Sequence, residues 1–314
     1  MLTHLVILLD DTSVSYCYYD NRNKRHKLIP FEYLKEGILW SMKENVNVQF
    51  VYPSYKLPQE YLDLIDTVDH MDIKPDTQGK DADVLVYTSW DGFDLLVNKA
   101  AIGVIRTTRK ELYSRVHILQ EVIGKVSRLN VVLTDIENFS DKDILEYKKM
   151  LEKLADDLRA KYRLGENMQV NLLTDRIMLK EMNNCNAGES NITLAPNGCF
   201  YLCPAFYYDN PRNSIGDVKH GISIKNSHLL KLEYAPICKS CDAYQCRRCV
   251  WMNNKTTTDL NTPSHQQCVV SHLERNASRY LQMILSKDGL KLNPSYDIEE
   301  IDYLDPFNNL NKWK

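Results

Sequence analysis

The sequence lacks any apolar run approaching the roughly 18 residues of a bilayer-spanning helix. Its N-terminal apolar stretch, Leu5–Leu9, is short and stops at Asp10-Asp11. That start also lacks the basic region, the longer apolar region and the small-residue cleavage site of a secretory signal. A cytoplasmic protein is therefore expected. An excess of one charge is lacking too: 39 Lys and Arg stand against 42 Asp and Glu, for a formal net charge of -3. This argues against a general nucleic-acid or membrane-binding surface. The 11 glycines form no P-loop, no Gly-x-Gly-x-x-Gly and no Gly-x-Ser-x-Gly, so the common nucleotide-binding and hydrolase signatures are excluded.

Cysteine is what the chain has. There are nine, and eight fall between Cys185 and Cys268, leaving only Cys17 outside. Disulfides are disfavoured in a reducing compartment, and scattered core thiols would not cluster in this way. The remaining reading is metal ligation.

The first 180 residues alternate apolar strands with helices. Strands are expected at Leu5–Leu9, Val46–Val51, Val84–Tyr87, Ile102–Ile105, Asn130–Leu133 and Gln169–Leu173. Helices are expected at Phe31–Lys43, Gln59–Val68, Gly92–Asn98, Arg109–Val126 and Ser140–Leu164, the last with a capping box at Ser140 and Asp143 and a C-cap at Gly165. Six strand–helix repeats predict an α/β fold with a parallel sheet, open or closed. Strand ends such as Asp10-Asp11-Thr12, Thr107-Thr108 and Thr134-Asp135 are polar, which suits both helix N-caps and a site at the C-terminal ends of the strands. Composition shifts near 181–185 toward Asn, Pro and Cys, predicting a small metal-organised domain at 181–288 with a helix at Asn276–Ser286, then a tail at 289–314.

Within that domain Cys185 is followed by twelve residues, Gly198, four residues and Cys203. Cys238-Lys-Ser-Cys241 and Cys246-Arg-Arg-Cys249 come next, then Cys268, with Cys199 as an extra cysteine. Two Cys-x-x-Cys pairs four residues apart are cramped for one zinc ribbon and suit ligands shared between two clusters. This order, with Leu194-Ala-Pro-Asn-Gly198, Tyr201-Leu-Cys-Pro204 and Ile215-Gly-Asp217, resembles the SPASM domain, which holds auxiliary four-iron four-sulfur clusters. The resemblance implies one cluster on Cys238, Cys241, Cys246 and Cys268 and another on Cys185, Cys203 and Cys249, with Cys199 as its candidate fourth ligand. Zinc is the alternative metal. The spacing departs from the family, which has five and three residues where this chain has four and two.

SPASM domains follow radical S-adenosylmethionine (AdoMet) domains, a partial (β/α)6 barrel whose first strand leads into Cys-x3-Cys-x2-Cys. Here residues 1–180 resemble a degenerate version: Cys17 takes the third position, but Asp10 and Val14 take the others. Phe50-Val-Tyr-Pro-Ser54 replaces the glycine-rich turn. No AdoMet binding and no self-sufficient radical chemistry are expected, and Cys17 reads as a structural thiol. Tyr16, Tyr18, Tyr19, Tyr52 and Trp90 are candidates for peptide contact.

The whole chain resembles the CXXX-repeat peptide maturases. That resemblance implies a role in maturing a ribosomally made, cysteine-rich precursor beside a true radical AdoMet enzyme. The alternatives are a non-catalytic peptide-binding module with structural metal, and an independent enzyme using an open cluster iron. His220, His228, His265 and His272 lie among the cysteines and read as ordinary surface or core residues, with His265 the one near enough to Cys268 to substitute as a ligand.

Overall fold

A computed structural model describes residues 2–78, 81–95 and 98–299, with only the backbone at 95 and 98–100. Along the chain the strands are β1 (His4–Leu8), β2 (Asn47–Val51), β3 (His70–Pro75), β4 (Val84–Tyr87), β5 (Asn98–Thr107), β6 (Val126–Leu133), β7 (Gln169–Val170), β8 (Asn191–Leu194), β9 (Cys199–Tyr201), β10 (Gly216–Asp217) and β11 (Gly221–Ile222). The α-helices are α1 (Phe31–Glu44), α2 (Gln59–Ile65), α3 (Arg109–Val122), α4 (Asp141–Arg163), α5 (Asp175–Met178), α6 (Pro204–Asp209), α7 (Val250–Thr257) and α8 (His265–Lys287). The chain packs as two compact units. One comprises residues up to 87 with 186–234, and the other comprises 88–185 with the chain from 235 onward.

In the first unit the strand order is β11-β10-β9-β8-β1-β2-β3-β4. β8, β1, β2, β3 and β4 run parallel, and β9, β10 and β11 extend the β8 side antiparallel. β1 is flanked by strands on both sides, and so it reads as a continuous apolar run. Its residues Leu5, Ile7 and Leu8 are fully buried. Leu5, Ile7 and Leu9 pack with Leu34 and Ile38 of α1, Phe50 of β2 and Leu194 of β8. Gly37 lets α1 come close, because a Cβ there would lie 2.3 Å from the Leu194 side chain.

Two glycines of the cysteine-rich segment are fixed by geometry. Gly198 has φ +77 beside the Tyr33 ring, which a Cβ would meet at 2.8 Å. Gly216 has φ +145 in the β10–β11 hairpin, where a Cβ would lie 1.9 Å from the Gly221 carbonyl oxygen.

The second unit contains the parallel strands β5-β6-β7. Thr108 with Glu111 and Ser140 with Asp143 form capping boxes at the starts of α3 and α4. Gly165, at φ +79, follows α4 as expected. The expected helix Arg109–Val126 ends sooner, since Gly124 at φ +91 turns the chain into β6. The expected strand Gln169–Leu173 shrinks to β7, because the Thr174 hydroxyl bonds both the N–H and the carbonyl of Val170 and curls the chain. The expected Gly92–Asn98 helix is a single 3-10 turn at Phe93–Leu95, and residues 96 and 97 lie outside the described residues, as does the tail from 300. The helix expected at Asn276–Ser286 begins at His265, where the Ser264 hydroxyl caps the Gln267 N–H. No helix among the described residues is long and apolar enough to cross a membrane.

α8 packs on α4, and Tyr147 donates its hydroxyl to the half-buried Glu274 carboxyl at 2.8 Å. Burial pushes the Glu274 carboxyl up to about 7, with the Asp175 charge adding to the shift and the Tyr147 and Gln245 hydrogen bonds opposing it. A folded-state value raised above the unfolded one gives stability that is full below the unfolded value and lost as pH rises through the folded value. The urea midpoint is therefore expected to fall between about pH 4.5 and 7, by an amount on the order of 1–2 kcal/mol after solvent screening. Glu274→Gln should flatten that slope. A slope identical to that of the unsubstituted chain would refute the assignment.

A four-cysteine cavity in the second unit

Cys238, Cys241, Cys246 and Cys268 line one cavity. The 3-10 turn Cys238–Ser240 brings the first pair together, with the Cys241 N–H on the Cys238 carbonyl at 3.0 Å. The Ala243 N–H donates to the Cys241 sulfur at 3.4 Å, and the Cys246 N–H to the Ala243 carbonyl at 2.9 Å. Cys268 is supplied by the first turn of α8. None of the nine cysteines forms a disulfide. Burial pushes the Cys238 and Cys241 thiols up to about 12, and raises Cys246 as well.

Buried cations surround these thiols. Arg248 lines the cavity, is fully buried, and holds the left-handed conformation at φ 41. Its guanidinium donates to the side-chain carbonyls of Asn184 and Asn261, each at 2.8 Å. Asp242, next to Cys241, is 1% exposed and lies between two more arginines. Arg275 Nη1 reaches its Oδ1 at 2.8 Å, and Arg176 Nη2 its Oδ2 at 3.4 Å. Arg176 also donates Nε–H to the Asp242 carbonyl at 3.0 Å. Three arginines against Asp242 leave an excess of positive charge, which the Glu274 carboxyl acting on Cys246 partly opposes. A four-thiolate site around a 2+ core, whether one zinc ion or a four-iron four-sulfur cubane, carries about -2. The local excess has the sign that offsets it.

The four thiols are a donor set that suits either one zinc ion or a cluster that contributes its own iron and sulfide. When bound, a cluster would supply electron storage or a Lewis-acidic iron.

His272 is a cavity residue that the sequence left among the ordinary histidines. It stands one turn after Cys268 on α8, at the i+4 spacing that places two side chains on one face. Its Nε2 lies 3.6 Å from the Cys241 sulfur. Burial, with the Arg275 charge, pushes its imidazole down to about 3, so it is neutral and able to donate one N–H. Gln267 also lines the cavity, and its Oε1 has no hydrogen-bond partner among the described residues. The other histidines are placed elsewhere. His220 pairs with Asp217 at 2.9 Å, His228 packs edge-on against Tyr234, and His265 opens α8.

The other expected ligands divide between the units. Cys185 and Cys249 belong to the second, where the Cys185 N–H bonds the Arg247 carbonyl at 2.7 Å and Cys249 precedes α7. Cys199 and Cys203 belong to the first: Cys199 opens β9, its thiol raised by burial, and Cys203 precedes α6.

At the C-terminal end of β1, Asp10 is fully buried. Its carboxylate accepts from the Thr12 N–H at 2.8 Å, the Thr12 hydroxyl at 2.5 Å and the Tyr55 hydroxyl at 2.9 Å. Val14 donates its N–H to the Tyr52 carbonyl. Cys17 is half-buried in the following loop. Among the aromatic candidates for peptide contact, Tyr52 and Trp90 are buried, at 3% and 4% exposed, and Tyr19 is buried at 2%. They are therefore part of the packing rather than free to meet a ligand.

No protein-family model and no curated protein matches the sequence. Among solved structures the chain is similar to a polyhistidine-tagged anSMEcpe with bound AdoMet, with a TM-score of 0.63, 12% identity, and coverage of 93% of this chain and 97% of that one. It is also similar to native anSMEcpe with bound AdoMet and Cp18Cys peptide, with a TM-score of 0.62, 11% identity, and coverage of 91% and 100%. The form with AdoMet and Kp18Cys peptide gives 0.60, 14%, 91% and 100%. Each of these structures holds AdoMet, so the comparison lends no support to the expectation that this chain does without it. At these identities the likeness establishes the mixed α/β fold and its parallel strands, shared with anSMEcpe along nearly the whole chain.

Proposed function

We propose that this chain is an iron–sulfur protein of peptide maturation, with a degenerate radical AdoMet-like partial barrel at 1–180 and a SPASM-like segment at 181–288. The observation that carries this reading is the one cavity lined by Cys238, Cys241, Cys246 and Cys268, with the buried arginines around it. Those four would hold one cluster, and Cys185, Cys203 and Cys249, with Cys199 as fourth candidate, would hold a second. The fold neighbours that hold Cp18Cys and Kp18Cys peptides support a peptide as the partner. A cysteine-rich precursor of the CXXX-repeat kind is the finer proposal, in a cytoplasmic setting where thiols stay reduced.

The chain acts beside a true radical enzyme, because Cys17 alone stands where three ligands would be needed and the buried Asp10 carboxylate is committed to Thr12 and Tyr55. The neighbours' bound AdoMet supports a second reading, in which this chain also binds AdoMet.

The test is iron, acid-labile sulfide and zinc content of protein purified without oxygen, with AdoMet binding measured by equilibrium dialysis on the same sample. About eight iron and eight sulfide per chain are expected for two four-iron clusters, with no AdoMet retained. A colourless protein carrying only zinc would overturn the iron–sulfur reading, and stoichiometric AdoMet binding would favour the second reading.

A further inference from the structure

Two of the cavity's cysteine sulfurs accept hydrogen bonds from the backbone. The Ala243 N–H donates to the Cys241 sulfur at 3.4 Å, and the Arg248 N–H donates to the Cys246 sulfur. Each donor stands two residues after its cysteine, so the turn supplies these bonds whatever the side chains are. Two further donors are side chains. The His272 Nε2 lies 3.6 Å from the Cys241 sulfur, and the Ser271 hydroxyl bonds the Cys246 sulfur. These residues are consecutive on α8, and both line the cavity. The helix that brings in Cys268 thus returns, about one turn later, to two of the other three sulfurs.

Packing does not call for these side chains. His272 is 2% exposed and Ser271 8% exposed. Leucine and alanine would fill the same positions on the buried face of α8 with no polar atom to desolvate. His26, His70 and His220, by contrast, each meet an oxygen atom. A metal-bound thiolate has no proton of its own, so an imidazole or a hydroxyl beside it can bond it only by donating. Such bonds draw charge from the sulfurs and favour the reduced, more negative state of an iron–sulfur cluster.

We infer that Ser271 and His272 set the reduction potential of a cluster held by Cys238, Cys241, Cys246 and Cys268, each through a different sulfur. This rests on the iron–sulfur reading of the cavity. The step they govern is uptake of one electron, supplied in the test by dithionite, with no bond between heavy atoms made or broken. Both are positioning residues that act through the ligands.

The experiment is a dithionite titration of the full-length protein, loaded with iron and sulfide without oxygen and followed by electron paramagnetic resonance. The signal that disappears in Cys246→Ala identifies this cluster. His272→Leu and Ser271→Ala are each expected to lower its reduction equilibrium about tenfold, a downward shift of about 59 mV for one electron. His272→Gln, which keeps an N–H to donate, should lie closer to the unsubstituted protein than His272→Leu does. A second measurement needs no variant. With nitrogen-15-labelled histidine, pulsed resonance of the reduced protein should show the weak coupling of a hydrogen-bonded ring. Unchanged potentials in the leucine and alanine variants, or no histidine coupling, would overturn the inference and leave the iron–sulfur reading standing. A protein that binds only zinc would overturn both.

Discussion

Asp242→Ala is expected to be the most destabilising single substitution in the chain. The carboxylate is shared by Arg275 and Arg176, both nearly devoid of solvent contact, and its own main-chain carbonyl is a third anchor for Arg176. Burying guanidinium groups is tolerable only when the compensating charge is present. Breaking such a pair from one side costs about 3–5 kcal/mol, a large share of a typical folding margin of about 5–15 kcal/mol. Asp242→Asn keeps the shape but removes the charge, and should lie between the two. Urea unfolding followed by far-ultraviolet circular dichroism measures both. A loss below about 1 kcal/mol for the alanine variant would place these arginines in contact with water and remove them from the cation shell.

Cys246→Ala is expected to have the largest effect on bound metal. Iron and sulfide should fall from about eight to about four of each per chain if its cluster is lost whole. His265→Ala, at a side chain outside the cavity lining, should leave both unchanged. Loading must draw protons off thiols that burial holds neutral, so metal binding should release protons and weaken on acidification. The loops that carry Cys238, Cys241 and Cys246 contain little regular structure, so metal removal should also increase proteolysis there. Equal metal content in the Cys246→Ala and unsubstituted proteins would exclude this cavity as a metal site.

The elements that were legible in the sequence are those fixed locally. The capping box at Ser140 and Asp143, the buried run that becomes β1, and Gly165 after α4 all carry their signal within a few residues. Gly198, noticed as part of a spacing pattern, proves to be required by the Tyr33 ring against it. β3 escaped notice because His70, Asp72 and Lys74 are polar and pair among themselves: Asp72 bonds Lys74 at 2.5 Å and meets His70 at 3.4 Å. The first three turns of α8 were hidden by Gln267, Cys268, Ser271 and His272, which are buried or half-buried for the sake of the cavity and break the apolar period.

The cysteines were legible as a group, but the Arg176–Asp242–Arg275 arrangement was not. Arg176 lies 66 residues from Asp242, and nothing near either marks the contact. The eightfold clustering of cysteine suggested one metal-organised region, yet β8 and β9 are strands of the sheet that holds β1, because Ile192 and Leu194 bury against the same core as Leu5 and Ile7.

That pairing has a consequence for synthesis. β1 leaves the ribosome well before the strand that covers its far edge, which follows about 187 residues later, with His4 opposite Asn191. At roughly 5–20 residues per second the wait is on the order of 10–40 s. Throughout that time a short, uncharged, apolar strand presents unpaired amides to whatever is nearby. Expression yield should therefore depend on holdase chaperones and fall with temperature more steeply than the stability of the finished protein would suggest.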